Sequence, residues 1–93
     1  GIVKIQIITR KNADKLIENL KEAGYGITHH AAKGSNDFVS IIYSIIKRHE
    51  IGKVEKIIKA TNPQAFYSVE DVKTVSHLIY PIKKGARPWR KGK

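Results

Sequence analysis

The sequence of 93 residues contains no cysteine and no methionine, and it has only three prolines and one tryptophan. Without cysteine, neither a disulfide framework nor a thiolate metal site is possible. Because methionine is missing even at position 1, where Gly1 leads directly into a strand pattern, we expect a fragment or a processed product. No apolar run approaches the ~20 residues that cross a bilayer, and no signal-peptide pattern is present. Any membrane anchor would therefore lie outside this sequence.

Acidic residues are scarce, and they are absent from the C-terminal end. Of the 18 Lys and Arg residues, six lie in residues 83–93, which contain no Asp or Glu. The rest of the chain has 12 basic and 8 acidic residues, so most of the net charge of +10 belongs to this end. A high overall charge is therefore weak support for nucleic-acid binding by the folded part.

The first third of the chain predicts a strand and a helix. Apolar residues alternate with polar ones over residues 2–9, which is typical of a half-buried strand. Asn12 is a suitable helix cap, and apolar residues then recur at i, i+3, i+4 and i+7 through position 23. Gly24 supplies the left-handed residue that commonly ends a helix.

A β-hairpin is predicted next, with residues 27–32 and 38–46 as its strands and residues 33–37 as its turn. Residues 38–46 are apolar on both faces, so we expect this strand to be central in the sheet. We assign its odd-numbered residues, including Ile41 and Ile45, to the helix-covered face. Its even-numbered residues, including Ile42, would then face away from the helices with Ile2 and Ile8. Such a bare apolar face predicts self-association as a dimer or trimer, unless the C-terminal segment folds back over it.

The last third predicts a second amphipathic helix that ends at Asn62-Pro63, a short strand over residues 65–69 and an extended segment over residues 72–80. The order strand, helix, strand, strand, helix, strand is that of the α+β ferredoxin-like (βαββαβ) fold, with both helices on one face of a mainly antiparallel sheet. We expect one domain over residues 1–81 and a basic disordered tail over residues 82–93.

Several local motifs also resemble a known family. They are Gly24-Tyr25-Gly26-Ile27-Thr28, Lys33-Gly34, Lys47-Arg48 and the segment Asn62-Pro63-Gln64-Ala65-Phe66-Tyr67-Ser68-Val69-Glu70-Asp71-Val72. The series resembles the C-terminal cytosolic domain of unknown function in YitT-like and related uncharacterised bacterial membrane proteins. This resemblance implies a PII-like variant of the fold, often oligomeric, behind an N-terminal membrane region. It also implies a location at the cytoplasmic side of the cell membrane. The family has no established activity, so it supplies no catalytic residues.

The predicted hairpin turn is the candidate binding site for an anion. Backbone N–H groups of a tight glycine turn, beside a lysine and a hydroxyl, can cradle a phosphate, although a solvated turn explains the same residues. The resemblance to PII-like proteins favours a nucleotide near this loop. The candidate ligand-binding residues are Thr28, His29, Lys33, Gly34, Ser35 and Asn36.

No catalytic or metal-binding constellation is recognisable in the sequence. His29 and His30 are adjacent on a predicted strand, so their side chains leave opposite faces and cannot chelate one metal together. The carboxylates of the first helix lie on its solvated face. We therefore expect a non-enzymatic regulatory or ligand-sensing domain that has no cofactor.

An RNA- or nucleic-acid-binding module of the same fold is the alternative interpretation. Such modules stack bases on aromatic residues of the central strands. Here Gln6 occupies the first strand, and Phe38 and Tyr43 are predicted on opposite faces, which argues against this function. The tail with Trp89 could still bind RNA or an anionic lipid surface, instead of being simply disordered.

Overall fold

The computed structural model describes residues 1–10, 12–33, 37–75 and 78–82. Five strands form one sheet in the order β2-β3-β1-β4-β5, and every strand pair is antiparallel. The elements are β1 (Ile2–Thr9), α1 (Asp14–Glu22), β2 (Thr28–Lys33), β3 (Phe38–Lys47), a 3-10 turn (Arg48–Glu50), α2 (Ile51–Thr61), β4 (Phe66–Val75) and β5 (Leu78–Ile82). This topology is the predicted ferredoxin-like fold with one additional strand, and β3 is indeed an interior strand.

Both helices cover one face of the sheet, where the core lies. The largest fully buried side chains come from β1, β3 and the two helices: Val3, Ile5, Ile7, Leu16, Leu20, Ile42, Val54 and Ile58. Residues at alternate positions of β1 and β3 therefore share this core face. The hydrophobic stripes of both helices were placed correctly from their 3.6-residue period.

The face assignment for β3 was wrong. Ile42 lies opposite Ile7, and Ile46 lies opposite Val3, so the even-numbered residues of β3 face the helices. This face includes Ser40 and Ser44, so the sequence pattern made it less apolar than the face that carries Ile41 and Ile45. Ser44 is nevertheless only 4% exposed, and its hydroxyl donates a 2.8 Å hydrogen bond to the Gly26 carbonyl. That bond offsets the cost of burying the hydroxyl.

Neither α1 nor α2 covers the opposite face of the sheet. We call it the open face, and it carries Ile2, Lys4, Gln6 and Ile8 of β1 with Val39, Ile41, Tyr43 and Ile45 of β3. Most of these side chains are partly buried, but Ile45 is 43% exposed. The open face is therefore apolar as predicted, but Ile41 and Ile45 belong to it, and Ile42 and Ile46 do not.

The segment after α2 is more continuous than predicted. Residues 65–69 and 72–80 were expected to be separate, but β4 runs without interruption through Glu70 and Asp71. Both acids pair with β1 in the sheet, and each side chain also has a cation as partner: Lys4 pairs with Glu70 at 3.7 Å, and Arg48 of the 3-10 turn pairs with Asp71. β5 then pairs with β4 and extends the sheet edge.

The ends of α1 are fixed by local contacts. Gly24 has a φ of 99°, as the predicted helix end requires. Asn12 accepts a 2.7 Å hydrogen bond from the Asp14 N–H through its Oδ1 atom. Among the described residues, no helix has both the length and the apolar character needed to span a membrane.

Candidate functional site

The structure spreads the predicted ligand-binding residues along β2. Thr28 lies opposite Tyr43 and therefore belongs to the open face, whereas His29 and Lys33 belong to the other face. All three side chains are exposed. Thr28 and Lys33 are the first and last residues of β2, which separates them by roughly 16 Å at strand spacing. The other candidates, Gly34, Ser35 and Asn36, lie outside the described residues. The anion site at this turn stays a prediction, and one small anion that contacts Lys33 does not reach Thr28.

A row of polar side chains crosses the open face, one from each of four strands. The His30 and Tyr43 rings meet edge to face with centroids 5.3 Å apart. Lys4 Nζ lies 4.7 Å from the Tyr43 ring centroid and 3.7 Å from Glu70 Oε1. The positive charge of Lys4 thus has both a carboxylate and an aromatic partner. We expect this row to orient the strands rather than to attract an anion.

A cavity of about 380 Å³ lies at one end of the open face, where β1 ends and β4 begins. Its lining consists of Ile8, Thr9, Arg10, Val39, Gln64 and Phe66. The size lies within the range of roughly 300–1,000 Å³ that is typical of ligand pockets. Sequence reasoning named none of these residues as a site, because they come from three separate segments. The local signal in the sequence was Phe66, an aromatic residue near the start of a predicted strand.

Asn62 holds together the chain segments that form this cavity. Its Nδ2 atom donates hydrogen bonds of 3.1 Å to Thr9 Oγ1 and 3.3 Å to the Asn12 carbonyl. The backbone carbonyl of Asn62 accepts a 2.9 Å hydrogen bond from the Ala65 N–H. Asn62 is only 3% exposed, and the Thr9 hydroxyl and the Asn12 carbonyl satisfy the buried Nδ2 donor of its side chain. The short connection that carries Gln64 and Phe66 is therefore fixed beside the end of β1.

Two tyrosines on the helix side of the sheet have raised pKa values. Burial, followed by the nearby charge of Glu50, raises the pKa of Tyr25, whose hydroxyl lies 3.4 Å from Glu50 Oε2. The pKa of Tyr67 is raised chiefly by the 2.6 Å hydrogen bond that it donates to Glu55 Oε2. Both phenols are therefore protonated near neutral pH and act as hydrogen-bond donors to helix-side carboxylates. Among the described residues, no group of three or more His, Asp or Glu side chains could hold a metal ion.

Comparison with known sequences identifies relatives of unknown function. Residues 25–76 match the family described as "Uncharacterized protein conserved in bacteria (DUF2179)". A UPF0316 protein of Methanospirillum hungatei is 38% identical over 89 residues, which are 96% of this chain and 44% of that protein. A UPF0316 protein of Acetivibrio thermocellus is 45% identical over 80 residues, which are 86% of this chain and 39% of that protein. The chain thus spans less than half the length of these relatives.

Solved structures show the same fold. An uncharacterized DUF2179 protein from Eubacterium ventriosum is 25% identical with a TM-score of 0.58, over 74% of this chain and 97% of that one. CPII from Thiomonas intermedia, solved with ADP, AMP and acetate, is 16% identical with a TM-score of 0.62, over 73% and 82% of the two chains. At the latter identity the likeness concerns the fold alone. The family match covers more than half of the chain, so this chain belongs to the DUF2179 family, and it has the fold of PII-like proteins.

Proposed function

We propose that this chain is a regulatory, ligand-sensing domain that binds a small anionic ligand, of which a nucleotide is the leading class, and that it catalyses no reaction. The observation that carries the proposal is the PII-like fold, because CPII, which shares it, was solved with ADP and AMP. Residues 1–82 contain 12 basic and 8 acidic residues, and this positive excess favours an anionic ligand over a cationic one. In this proposal the domain reports ligand occupancy through its conformation or its contacts.

We place this domain at the cytoplasmic side of the cell membrane. The relatives are more than twice as long as this chain, which leaves room for a further region. The family resemblance described in the sequence analysis implies that this region is an N-terminal membrane region. Membrane fractionation of the full-length protein, followed by protease treatment of intact and permeabilised cells, tests this location. Digestion of the domain in intact cells would contradict it.

We also propose that two or three copies associate through the open face. Ile41 is partly buried and Ile45 is 43% exposed on a sheet face that neither α1 nor α2 covers. A second copy would remove this apolar surface from water and thereby stabilise the assembly.

A comparison of nucleotides with RNA tests the proposed function. Thermal melts are measured with a panel of adenine and guanine nucleotides and with single-stranded RNA, in chains with and without residues 83–93. We expect a nucleotide to raise the melting temperature in both chains, because a ligand that binds only the folded state stabilises it. Tight RNA binding that survives removal of residues 83–93, without a shift from any nucleotide, would identify a nucleic-acid-binding module instead.

A charge-matched pair of variants tests the predicted turn site separately. Lys33→Gln removes the cation at the end of β2, and Lys59→Gln removes an exposed cation from α2. If the anion binds at the turn, only Lys33→Gln weakens nucleotide binding. Equal affinities in the two variants would exclude Lys33 from the site and leave the ligand-sensing function standing.

A further inference from the structure

We propose that the cavity at the end of β1 binds an anion with a planar aromatic ring, of the size of a nucleoside monophosphate. This inference rests on the proposed function, because it gives the anionic ligand a place and a chemical class. The site consists of a cavity floor, an aromatic rim and a cation, which come from separate segments of the chain.

The floor and rim of the cavity favour a flat apolar group. Ile8 and Phe66 are directly opposed on β1 and β4, and Val39 belongs to the same open face. Phe66 is 67% exposed, so its ring is available for stacking. An aromatic side chain held beside two aliphatic ones provides a platform for a ring, and the ring would cover apolar surface that is now in contact with water.

The same cavity has a cation that pairs with no carboxylate of the described residues. Arg10, the residue after β1, lines the cavity and is exposed. Within the described part of the chain, the ion pairs are Lys4 with Glu70, Lys15 with Glu18, and Arg48 with Asp71. Arg10 belongs to none of them, so its planar guanidinium is available for bidentate contact with a phosphate or carboxylate.

The cavity lies at the end of the sheet where the sequence predicts a binding site, the hairpin turn of residues 33–37. Val39 in the cavity pairs with Ala32, the residue before Lys33. The cavity therefore lies at the same end of the sheet as the predicted hairpin turn. Gln64 completes the lining and has an amide that can donate to and accept from the polar edge of a ring. A nucleotide has the required ring, polar edge and anion.

Calorimetric titration with AMP, adenosine and inorganic phosphate tests the site in the chain as it stands. We expect AMP to bind more tightly than adenosine or phosphate, because only AMP engages both the platform and the cation. Phe66→Ala should weaken the binding of AMP and of adenosine by about tenfold, which is the effect of losing one stacked base. Arg10→Gln should weaken the binding of AMP by about tenfold and leave the affinity for adenosine unchanged.

Two control variants match these changes. Phe38 is also 67% exposed, but it lies on the opposite face of the sheet, so Phe38→Ala removes an equal aromatic surface outside the cavity. Lys59→Gln removes one positive charge from α2. Both controls should bind AMP as the unchanged chain does, and circular dichroism melts verify that all four variants fold. In a fifth variant, Phe66→Trp is combined with Trp89→Phe, so that position 66 carries the only indole of the chain. Its emission should be quenched by AMP and not by phosphate.

The possible results distinguish a failure of the proposed site from a failure of the proposed function. If Phe66→Ala and Arg10→Gln bind AMP with unchanged affinity, the cavity is not the site, although ligand sensing stands. If the unchanged chain binds neither AMP nor any other nucleotide, the site and the proposed function both fail. Phosphate binding as tight as AMP binding, or equal losses in the control variants, would mean non-specific attraction and overturn the site. A change of oligomeric state in Phe66→Ala without any loss of AMP binding would identify the cavity as part of an interface instead.

Discussion

Neighbouring residues of β3 have different roles because a strand alternates its side chains between two faces. Ile42 is fully buried between the sheet and the helices, whereas Ile41 is partly buried on the open face. The sequence pattern marked both as apolar and offered no local reason to choose between them. The pairing of Ile42 with Ile7 of β1 places the even-numbered residues in the core, and Ser44 is accommodated there because its hydroxyl bonds to the Gly26 carbonyl.

This alternation predicts that the same substitution at two adjacent positions destabilises the domain by very different amounts. Ile42→Asp places an unpaired carboxylate in the core and should cost more than about 4 kcal/mol, which is most of the stability of a small domain. Ile41→Asp should cost about 1 kcal/mol, since water reaches the open face. Urea denaturation followed by circular dichroism measures both. A cooperative transition of Ile42→Asp at the midpoint of the unchanged chain would contradict the observed register.

The hydroxyl of Tyr67 predicts a dependence of stability on alkaline pH. Because its hydrogen bond to Glu55 raises the folded-state pKa, its contribution is fully present below the unfolded pKa of about 10 and is lost as pH rises through the folded value. Tyr67→Phe should cost about 1 kcal/mol at pH 7. The difference between the two chains should shrink above pH 10. Urea denaturation midpoints of both chains at neutral and alkaline pH measure this difference. Lysine titration affects both chains equally, so it cancels when they are compared. A difference that stays constant with pH would refute this account.

At the scale of the secondary-structure elements, the ends of the helices depend on single residues. Gly24 has a positive φ after α1. Gly52 lies in the first turn of α2, and no neighbouring atom lies within 4 Å of the place that an alanine Cβ would occupy there. The two glycines therefore have opposite conformational requirements. Only the first of them needs the left-handed region that other residues avoid.

Alanine substitutions at these glycines should change stability in opposite directions. Gly24→Ala forces a side chain into the left-handed region and should destabilise the domain by about 1–2 kcal/mol. Gly52→Ala reduces the freedom of the unfolded chain and should stabilise α2 by about 0.5–1 kcal/mol. Each variant is the control for the other in thermal melts. Loss of stability in Gly52→Ala would reveal a contact of α2 outside the single chain.

At the scale of the whole molecule, the open face is an apolar surface that neither α1 nor α2 covers. It is a mixed surface, because the row from His30 to Glu70 crosses between its aliphatic residues. In the proposed assembly, a second copy would cover the aliphatic residues of the open face. The ion pair between Lys4 and Glu70 would lie within that interface or at its edge. The cavity with Phe66 lies at one end of the same face.

A charged residue on this face tests self-association. Ile45→Lys should dissociate a dimer or trimer without unfolding the chain, because Ile45 is already 43% exposed and its replacement can reach water. Multi-angle light scattering at micromolar concentration measures the mass, and circular dichroism monitors the fold. Lys56→Ala on the exposed surface of α2 is the control. A monomer in the unchanged chain would exclude this assembly.

Local sequence patterns were sufficient to establish which elements form and in what order. The alternation in β1, the helical spacing of Leu16 and Leu20, and the positive φ at Gly24 are all local. The ferredoxin-like order and the central position of β3 followed from this sequence of elements. The family motifs supplied the PII-like expectation, which the structural comparison confirmed.

Contacts between distant segments determine which face of β3 is buried, where β4 continues and where a cavity forms. Each of these features depends on a partner far away in the chain. Ile42 belongs to the core because it pairs with Ile7, and β4 continues through the acids at 70 and 71 because both of them pair with residues of β1. The cavity forms where Phe66 pairs with Ile8, and Asn62 connects the segment before β4 with the end of β1. The pattern of a single strand does not identify the residues with which it pairs, and a shift of one residue in that pairing would move every side chain to the other face.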